Sequence, residues 1–155
     1  MSTREKAEAA RAAGCHHPVV RSEEDFVAKV RDVTDGEGAA VVYEAIGKDT
    51  LQKSLDSLRP MGVCAAYGHV SGPPDPVDII QDLGARGSLF ITRPAIMHYV
   101  AKRSDLEWAA RDLFKAVGDG LLDANINYEY ALKDAVKAHQ AIESGTTLGA
   151  TVLIP

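Results

Sequence analysis

The stretch Ala39–Gly72, AAVVYEAIGKDTLQKSLDSLRPMGVCAAYGHVSG, constrains the fold of this chain more than any other. Ala39–Ala45 is a short valine-rich apolar run stopped by Gly47. Leu51, Leu55 and Leu58 then recur at helical spacing up to Pro60, which ends the helix. Val63–Tyr67 is a second apolar run, closed by Gly68-His69-Val70-Ser71-Gly72. Two apolar strands joined by a short helix predict a parallel pair buried on both faces. In open α/β sheets the carboxyl ends of such strands form the crevice that binds ligands. Gly47 and Gly68 fall at those ends, where a backbone without a side chain lets a flat ring or a phosphate come close.

Around this centre, strands and helices alternate. Ser2-Thr3-Arg4-Glu5 reads as a capping box with Ser2 at the N-cap, opening an alanine-rich helix that stops at Gly14. Cys15–Val20 is a short strand weakened by Pro18. Ser22, with Asp25 three residues on, caps a helix whose apolar face is Phe26, Val30 and Val33. Gly36-x-Gly38 precedes a strand instead of following one, the wrong way round for a phosphate loop. After the rigid Pro73-Pro74-Asp75-Pro76 loop, Val77–Ala85 reads as a short helix turning Ile79, Ile80 and Leu83 inward. Ser88–Thr92 is a strand ended by Arg93-Pro94.

Ser104-Asp105-Leu106-Glu107 is a second capping box, opening a helix with Leu106, Ala110, Leu113 and Val117 on one face. Asn125–Ala131 alternates as a half-exposed strand does, Lys133–Ser144 is a helix with Val136 and Ile142 inside, and Ala150–Ile154 is a last short strand. This alternation predicts an α/β protein with a mainly parallel sheet. At 155 residues a single domain is expected.

Composition narrows the function classes. A formal charge of −5 without a basic stripe disfavours general nucleic-acid binding. No apolar run approaches a membrane span and no signal-peptide core is present, so a cytoplasmic protein is expected. Cys15 and Cys64 both lie in strand-like runs and read as buried reduced thiols, a disulfide or a reactive thiol being the alternatives. Cys15-His16-His17 joins metal-capable neighbours, but adjacent strand residues point to opposite faces and do not share an ion. No serine or cysteine sits in a nucleophile elbow, which leaves hydrolase chemistry without a candidate.

Taken in order, STREKAEAARAAG, EEDFVAKVRDVTDGEGAAVVYEAIGKDTLQKSLDSLRPMG, YGHVSG, GSLFITRP and TLGATVLIP resemble the C-terminal part of a quinone oxidoreductase. That family is the zinc-independent, NADPH-dependent branch of the medium-chain dehydrogenase/reductase superfamily. The resemblance runs along the whole chain. It implies an incomplete Rossmann-like, mostly parallel sheet flanked by helices, lacking the first βα unit, with C-terminal helices and short strands. Residues 1–117 would be a partial nucleotide-binding domain, and 118–155 a segment returning to a catalytic domain. The implied chemistry is hydride transfer from NADPH to a quinone or enone, without zinc. A related enoyl or alkenal reductase is the runner-up. The glycine-rich phosphate turn, G-x-G-x-x-G, does not occur in the sequence. Weak or absent NADPH binding by this chain alone is therefore expected.

The resemblance also assigns residues. Ser2, Thr3 and Lys6 would lie near the adenosine 2′-phosphate, though an ordinary cap and a solvated lysine explain them equally well. Arg21 stands where the family carries a tyrosine beside the adenine; it can stack and pair with phosphate, or be a plain surface arginine. Tyr67, Gly68 and His69 match phenylalanine-glycine-asparagine, whose backbone passes the nicotinamide ribose; Tyr67 also suits a core. Ile91, Thr92 and Arg93 would pass the carboxamide end, with a salt-bridged rim as the alternative for Arg93. Gly145 replaces a basic residue of the C-terminal loop. No catalytic residue and no metal ligand is assigned. The family's edge strand, here Ser88–Thr92, implies a homodimer, and a non-catalytic dimerisation module is the competing hypothesis. A sheet lacking its first strands would leave a second open edge.

Overall fold

The computed structural model describes residues 1–123, 125–145 and 147–155. The backbone divides into two compact units, Met1–Tyr99 and Val100–Pro155.

The first unit is built on a three-stranded parallel sheet in the order β1 (Ala39–Glu44), β2 (Leu58–Ala66), β3 (Phe90–Thr92). Val42 pairs with Cys64, and Cys64 with Ile91, so the three apolar runs meet at one level. Helix α3 (Leu51–Asp56) makes the crossover between β1 and β2. Its Leu51 and Leu55 are buried with Leu58, Cys64 and Leu89, and Val42, Ala66, Val77, Leu83 and Ile91 pack around them. Burying each leucine contributes about 1.5–3 kcal/mol, which makes this cluster the main cohesion of the unit.

The parallel α/β architecture is the one the sequence predicts, with local differences. Leu58 belongs to β2, since the helix ends at Asp56 and the strand starts before Pro60. Residues 59–62 bulge out of the β1 ladder, with Met61 at φ 59°. The β1–β2 pair is not buried on both faces. Strand alternation turns Val42 and Glu44 inward, while Val41 and Tyr43 point outward and Tyr43 is 76% exposed.

Helix α1 (Arg4–Ala12) is capped by Thr3, whose Oγ1 accepts from the Lys6 N–H at 3.2 Å, and not by Ser2. Cys15–Val20 is not a strand. Pro18 lacks an N–H, and the bonds that hold the segment's end run to a single residue: the Met1 amine donates to the Val19 carbonyl, and the Arg21 N–H to the Met1 carbonyl. Cys15 is consequently half-buried, whereas Cys64 is fully buried; both are free thiols. Helix α2 (Phe26–Val33) is capped by Asp25, not Ser22, because a turn closed on the Val20 carbonyl takes up residues 20–24.

Residues Ile79–Gly84 form a π-helical turn capped by Asp78. Its wider winding sends Leu83 to the core but leaves Ile79 and Ile80 exposed, contrary to the inward placement read from spacing. A short helix α4 (Ile96–Tyr99) closes the unit.

The second unit contains helix α5 (Arg103–Gly118), strands β4 (Ile126–Ala131) and β5 (Ala150–Ile154) paired in parallel, and helix α6 (Ala135–Glu143). Helix α5 begins after Lys102, and Ser104 bonds Asp105 instead of closing a capping box. Its Leu106, Leu113 and Val117 remain exposed. Helix α6 packs on both strands. It turns Ala138 inward, with Ala135 and Ala141 half-buried beside it, while Val136 and Ile142 face out. The expected phase is wrong here because a 3₁₀ turn at Leu132–Asp134 precedes the helix and resets its rotation, so small alanines approach the sheet.

Candidate functional site: the crevice at the strand ends

The carboxyl ends of β1, β2 and β3 carry three loops: Ala45–Thr50, Tyr67–Pro76 and Arg93–Pro94. Glu44, the last residue of β1, organises the first. It is 4% exposed. Its carboxylate accepts from the Ile46 N–H at 2.6 Å, the Gly47 N–H at 3.0 Å, the Thr50 hydroxyl at 2.9 Å, and the Ser54 hydroxyl. Burial alone raises a carboxyl pKa. Here the donors from Ser54, Gly47, Ile46 and Thr50 outweigh it and hold Glu44 below the usual carboxylate value. One buried charge thereby sets the path from the strand into α3.

The second loop is tied to the first. The Tyr67 and Gly68 N–H groups donate to the Glu44 carbonyl, and the Ser71 N–H and hydroxyl both donate to the Ile46 carbonyl. Ser71 Oγ in turn accepts from the Asp49 N–H at 3.0 Å. Gly47 and Gly68 serve this contact. At Gly47, with φ 91°, an added Cβ would lie 2.6 Å from the Gly72 carbonyl oxygen and 2.9 Å from the His69 Cα; at Gly68 it would strike the Ala45 backbone. The space these glycines leave open is therefore filled by the chain's own neighbouring loop.

The third loop contributes Arg93. Its Nη1 donates to the Tyr67 carbonyl and reaches the Pro94 carbonyl at 3.5 Å, while Nη2 lies 3.4 Å from His69 Nδ1. A guanidinium only donates, so in this contact Nδ1 is the acceptor. Arg93, His69 and Gly68, with Ala66, Pro73 and Pro74, line a cavity of about 210 Å³ with no carboxylate in its wall. A second cavity, of about 300 Å³, lies along β1. Its lining includes Met1, Val19, Arg21, Phe26, Val42 and Glu44.

The residues singled out from the sequence thus fall into groups. Gly47, Tyr67, Gly68, His69 and Arg93 come together at the strand ends. Arg21 lines the other cavity. Ser2, Thr3 and Lys6 line neither, and Thr3 is occupied as a helix cap. Ile91 packs against the core, and Thr92 is exposed. Glu44, Ser71, Pro73 and Pro74 were not anticipated as site residues. An acidic residue closing an apolar strand immediately before a glycine turn is the signal that marks Glu44. Among the described residues no three His, Cys, Asp or Glu side chains gather to hold a metal ion. No helix is long and apolar enough to cross a membrane among the residues described.

Comparison with known proteins agrees with this architecture. A family profile described as zinc-binding dehydrogenase matches residues 1–115. A 2-haloacrylate reductase from Burkholderia sp is 52% identical over 155 residues, covering 100% of this chain and 46% of that protein. A quinone oxidoreductase from Salmonella typhimurium is 37% identical over 157 residues, covering 100% of this chain and 48% of that protein. Among solved structures, 2-haloacrylate reductase superposes with a TM-score of 0.91 over 100% of this chain and 48% of its own. Escherichia coli quinone oxidoreductase complexed with NADPH superposes with a TM-score of 0.93 at 35% identity, over 100% of this chain and 48% of its own. The chain therefore spans about half the length of the relatives it matches. On the sequence profile and the superposed fold together, this chain belongs to the zinc-binding dehydrogenase family and corresponds to the C-terminal half of its quinone oxidoreductase members.

Proposed function

We propose that the chain supplies the dinucleotide side of an NADPH-dependent reductase acting on a conjugated acceptor, a quinone, an enone or an acrylate-type alkene. The observation that carries this reading is the superposition of the whole chain on an NADPH-complexed quinone oxidoreductase. The crevice fits such a ligand: the cavity beside Arg93 and His69 has cationic and hydrogen-bonding walls and no carboxylate to repel phosphate or carboxamide oxygens. Bound NADPH supplies the hydride, from its nicotinamide ring.

The chain's own residues bind and orient. Gly68 and His69 border the nicotinamide ribose. Ile91, Thr92 and Arg93 border the carboxamide end. Arg21, with Ser2, Thr3 and Lys6, faces the adenosine 2′-phosphate. Glu44 holds the Ala45–Gly47 loop that backs the crevice. No residue of this chain is assigned to bond making or to holding a metal.

Without a glycine-rich phosphate turn the chain by itself is expected to bind NADPH weaker than micromolar and to turn over no quinone. Calorimetric titration with NADPH tests this, and micromolar affinity would contradict it. A second reading is favoured by β3, which has a neighbour on one edge and leaves Phe90 60% exposed. Through this edge, Ser88–Thr92, the chain forms a homodimer by pairing β3 with its twin. Sedimentation equilibrium decides the matter; a monomer at high concentration would reject the dimer.

A further inference from the structure

We infer that the cavity along β1 is a groove for a single β-strand supplied by a second polypeptide, a fully apolar extended segment that joins the sheet parallel to β1. This goes beyond the proposed reductase function and does not rest on the NADPH reading. β1 is an outer strand of its sheet, with β2 on one side only. The Tyr67 and Gly68 N–H groups donate to the Glu44 carbonyl, so the peptide groups of Glu44 face β2. Peptide groups alternate sides along a strand, which leaves those of Val41 and Tyr43 on the open edge. No lysine or proline protects that edge, since β1 reads Ala-Ala-Val-Val-Tyr-Glu. Across the cavity stands a second wall with the bonds of a parallel ladder. The Met1 amine donates to the Val19 carbonyl and the Met1 carbonyl accepts from the Arg21 N–H, the one-before, one-after pattern of parallel strands. Met1, Val19 and Arg21 line the cavity opposite Val42 and Tyr43 of β1.

The size and chemistry of the cavity select the occupant. At about 300 Å³ it holds roughly two residues of extended chain at the spacings of a sheet, and its open side lets the segment run on along β1. The Glu44 carboxylate in its lining is already satisfied by four donors, and Val19, Phe26, Val42 and Ile46 give it apolar walls. Arg21 also lines a neighbouring cavity with Asp49 and Lys53, so its guanidinium has a place beyond the strand and keeps the adenosine role proposed for it. The entering strand meets apolar surface on both faces. One set of its side chains covers Val42 and Phe26, and the other extends the row that the register forms from Val41, Val63 and Phe90. A segment apolar at every position is therefore required, as in strands buried on both faces. Main-chain bonds to the free edge supply its affinity. A second copy of β1 does not fit, because it carries its own β2 on the far side and Met1 and Val19 close that space. Solved relatives superpose on the whole of this chain with about half of their own length outside the match. The donor of the strand is that other half, as a separate polypeptide.

The test co-expresses the full chain with the part of the 52% identical 2-haloacrylate reductase that lies outside the match, and leaves NADPH out. Native mass spectrometry should show a 1:1 complex. In it, hydrogen exchange of the Val41 and Tyr43 amides should slow at least tenfold, whereas the Val42 and Glu44 amides, already facing β2, change less. Tyr43→Pro removes a donor from the open edge, and Val19→Lys puts a charge in the opposite wall; each should weaken the complex at least tenfold. Circular dichroism melts report whether each variant folds, and Val19→Lys leaves β1 intact should Tyr43→Pro unfold. No complex, a complex whose protection falls outside β1, or one that either folded variant forms as tightly as wild type would overturn the inference. The same protection in the chain alone, rising with its concentration, would assign the edge to a second copy and overturn it too. Because NADPH is left out, failure of the dinucleotide reading shows in its own titration and is not confused with failure of this one.

Discussion

Replacing Glu44 should unlock the crevice, and the cost can be worked from its contacts. The carboxylate is the acceptor for two backbone N–H groups and two hydroxyls, at a site 4% exposed. In Glu44→Ala the Thr50 and Ser54 hydroxyls can rotate to other acceptors, but the Ile46 and Gly47 N–H groups cannot. Each buried donor left unpaired costs about 1–3 kcal/mol, and the carboxylate bonds themselves are charge-assisted, so a loss of about 3–5 kcal/mol is expected. Glu44→Gln keeps an oxygen for three of the four donors and turns its amide toward Ser54, whose hydroxyl can accept instead. About 1–2 kcal/mol should be lost.

The pH dependence follows from the lowered folded-state pKa of Glu44. Its stabilisation is complete above the unfolded-state value and disappears as pH falls through the lower folded-state value. Glu44→Gln should remove that acid-side loss. Trp108 lies in the Val100–Pro155 unit, so its fluorescence is the wrong probe. Urea unfolding followed by hydrogen exchange of the β1 and β2 amides, at pH 7 and at pH 4, reports the right one. A loss under about 1 kcal/mol for Glu44→Ala, or equal losses for the two variants, would refute the buried-carboxylate account.

Other substitutions probe the same unit. Gly68→Ala drives a methyl into the Ala45 backbone; the two loops must separate, at about 1–3 kcal/mol by thermal melting, whereas Gly14→Ala meets no neighbour within 4 Å and differs only through its φ of 94°. Arg31 donates to the carbonyls of Gly36, Glu37, Asp56 and Leu58 at 2.7–3.0 Å, so Arg31→Ala should cost about 2–3 kcal/mol in urea unfolding, far more than deletion of an exposed ion pair such as Lys29–Asp32. Burial, and then the nearby Glu44 carboxylate, push the Cys64 thiol up to about 11. Iodoacetamide at pH 8 should therefore label Cys15 and spare Cys64 until the chain unfolds, with peptide mass mapping as the readout.

The parallel sheet was legible because its evidence is local: valine-rich runs, a leucine spacing between them, and glycines at the ends. The same holds for β4 and β5, whose sequences alternate or pack apolar residues over a few positions. Helix starts were less legible. Ser2, Ser22 and Ser104 are good caps by residue type, yet Thr3, Asp25 and Lys102 hold the positions, since the preceding turns decide where the first helical φ falls.

Which apolar residue faces inward depended on phase, and phase is set by elements outside the window being read. The π-helical turn displaced Ile79 and Ile80, and the 3₁₀ turn before α6 displaced Val136 and Ile142. The strand ends brought together residues far apart in the chain, Glu44 with Ser54 and Tyr67, and His69 with Arg93. By itself the order of residues determined the parallel α/β unit and its glycine-marked crevice, because hydrophobic period and chain punctuation act over a few residues. Only the tertiary structure decided that a buried carboxylate ties the crevice loops together and that an arginine at its wall bonds the Tyr67 carbonyl and meets His69, because hydrogen bonds and charges are settled by what three separate loops place within a few ångströms.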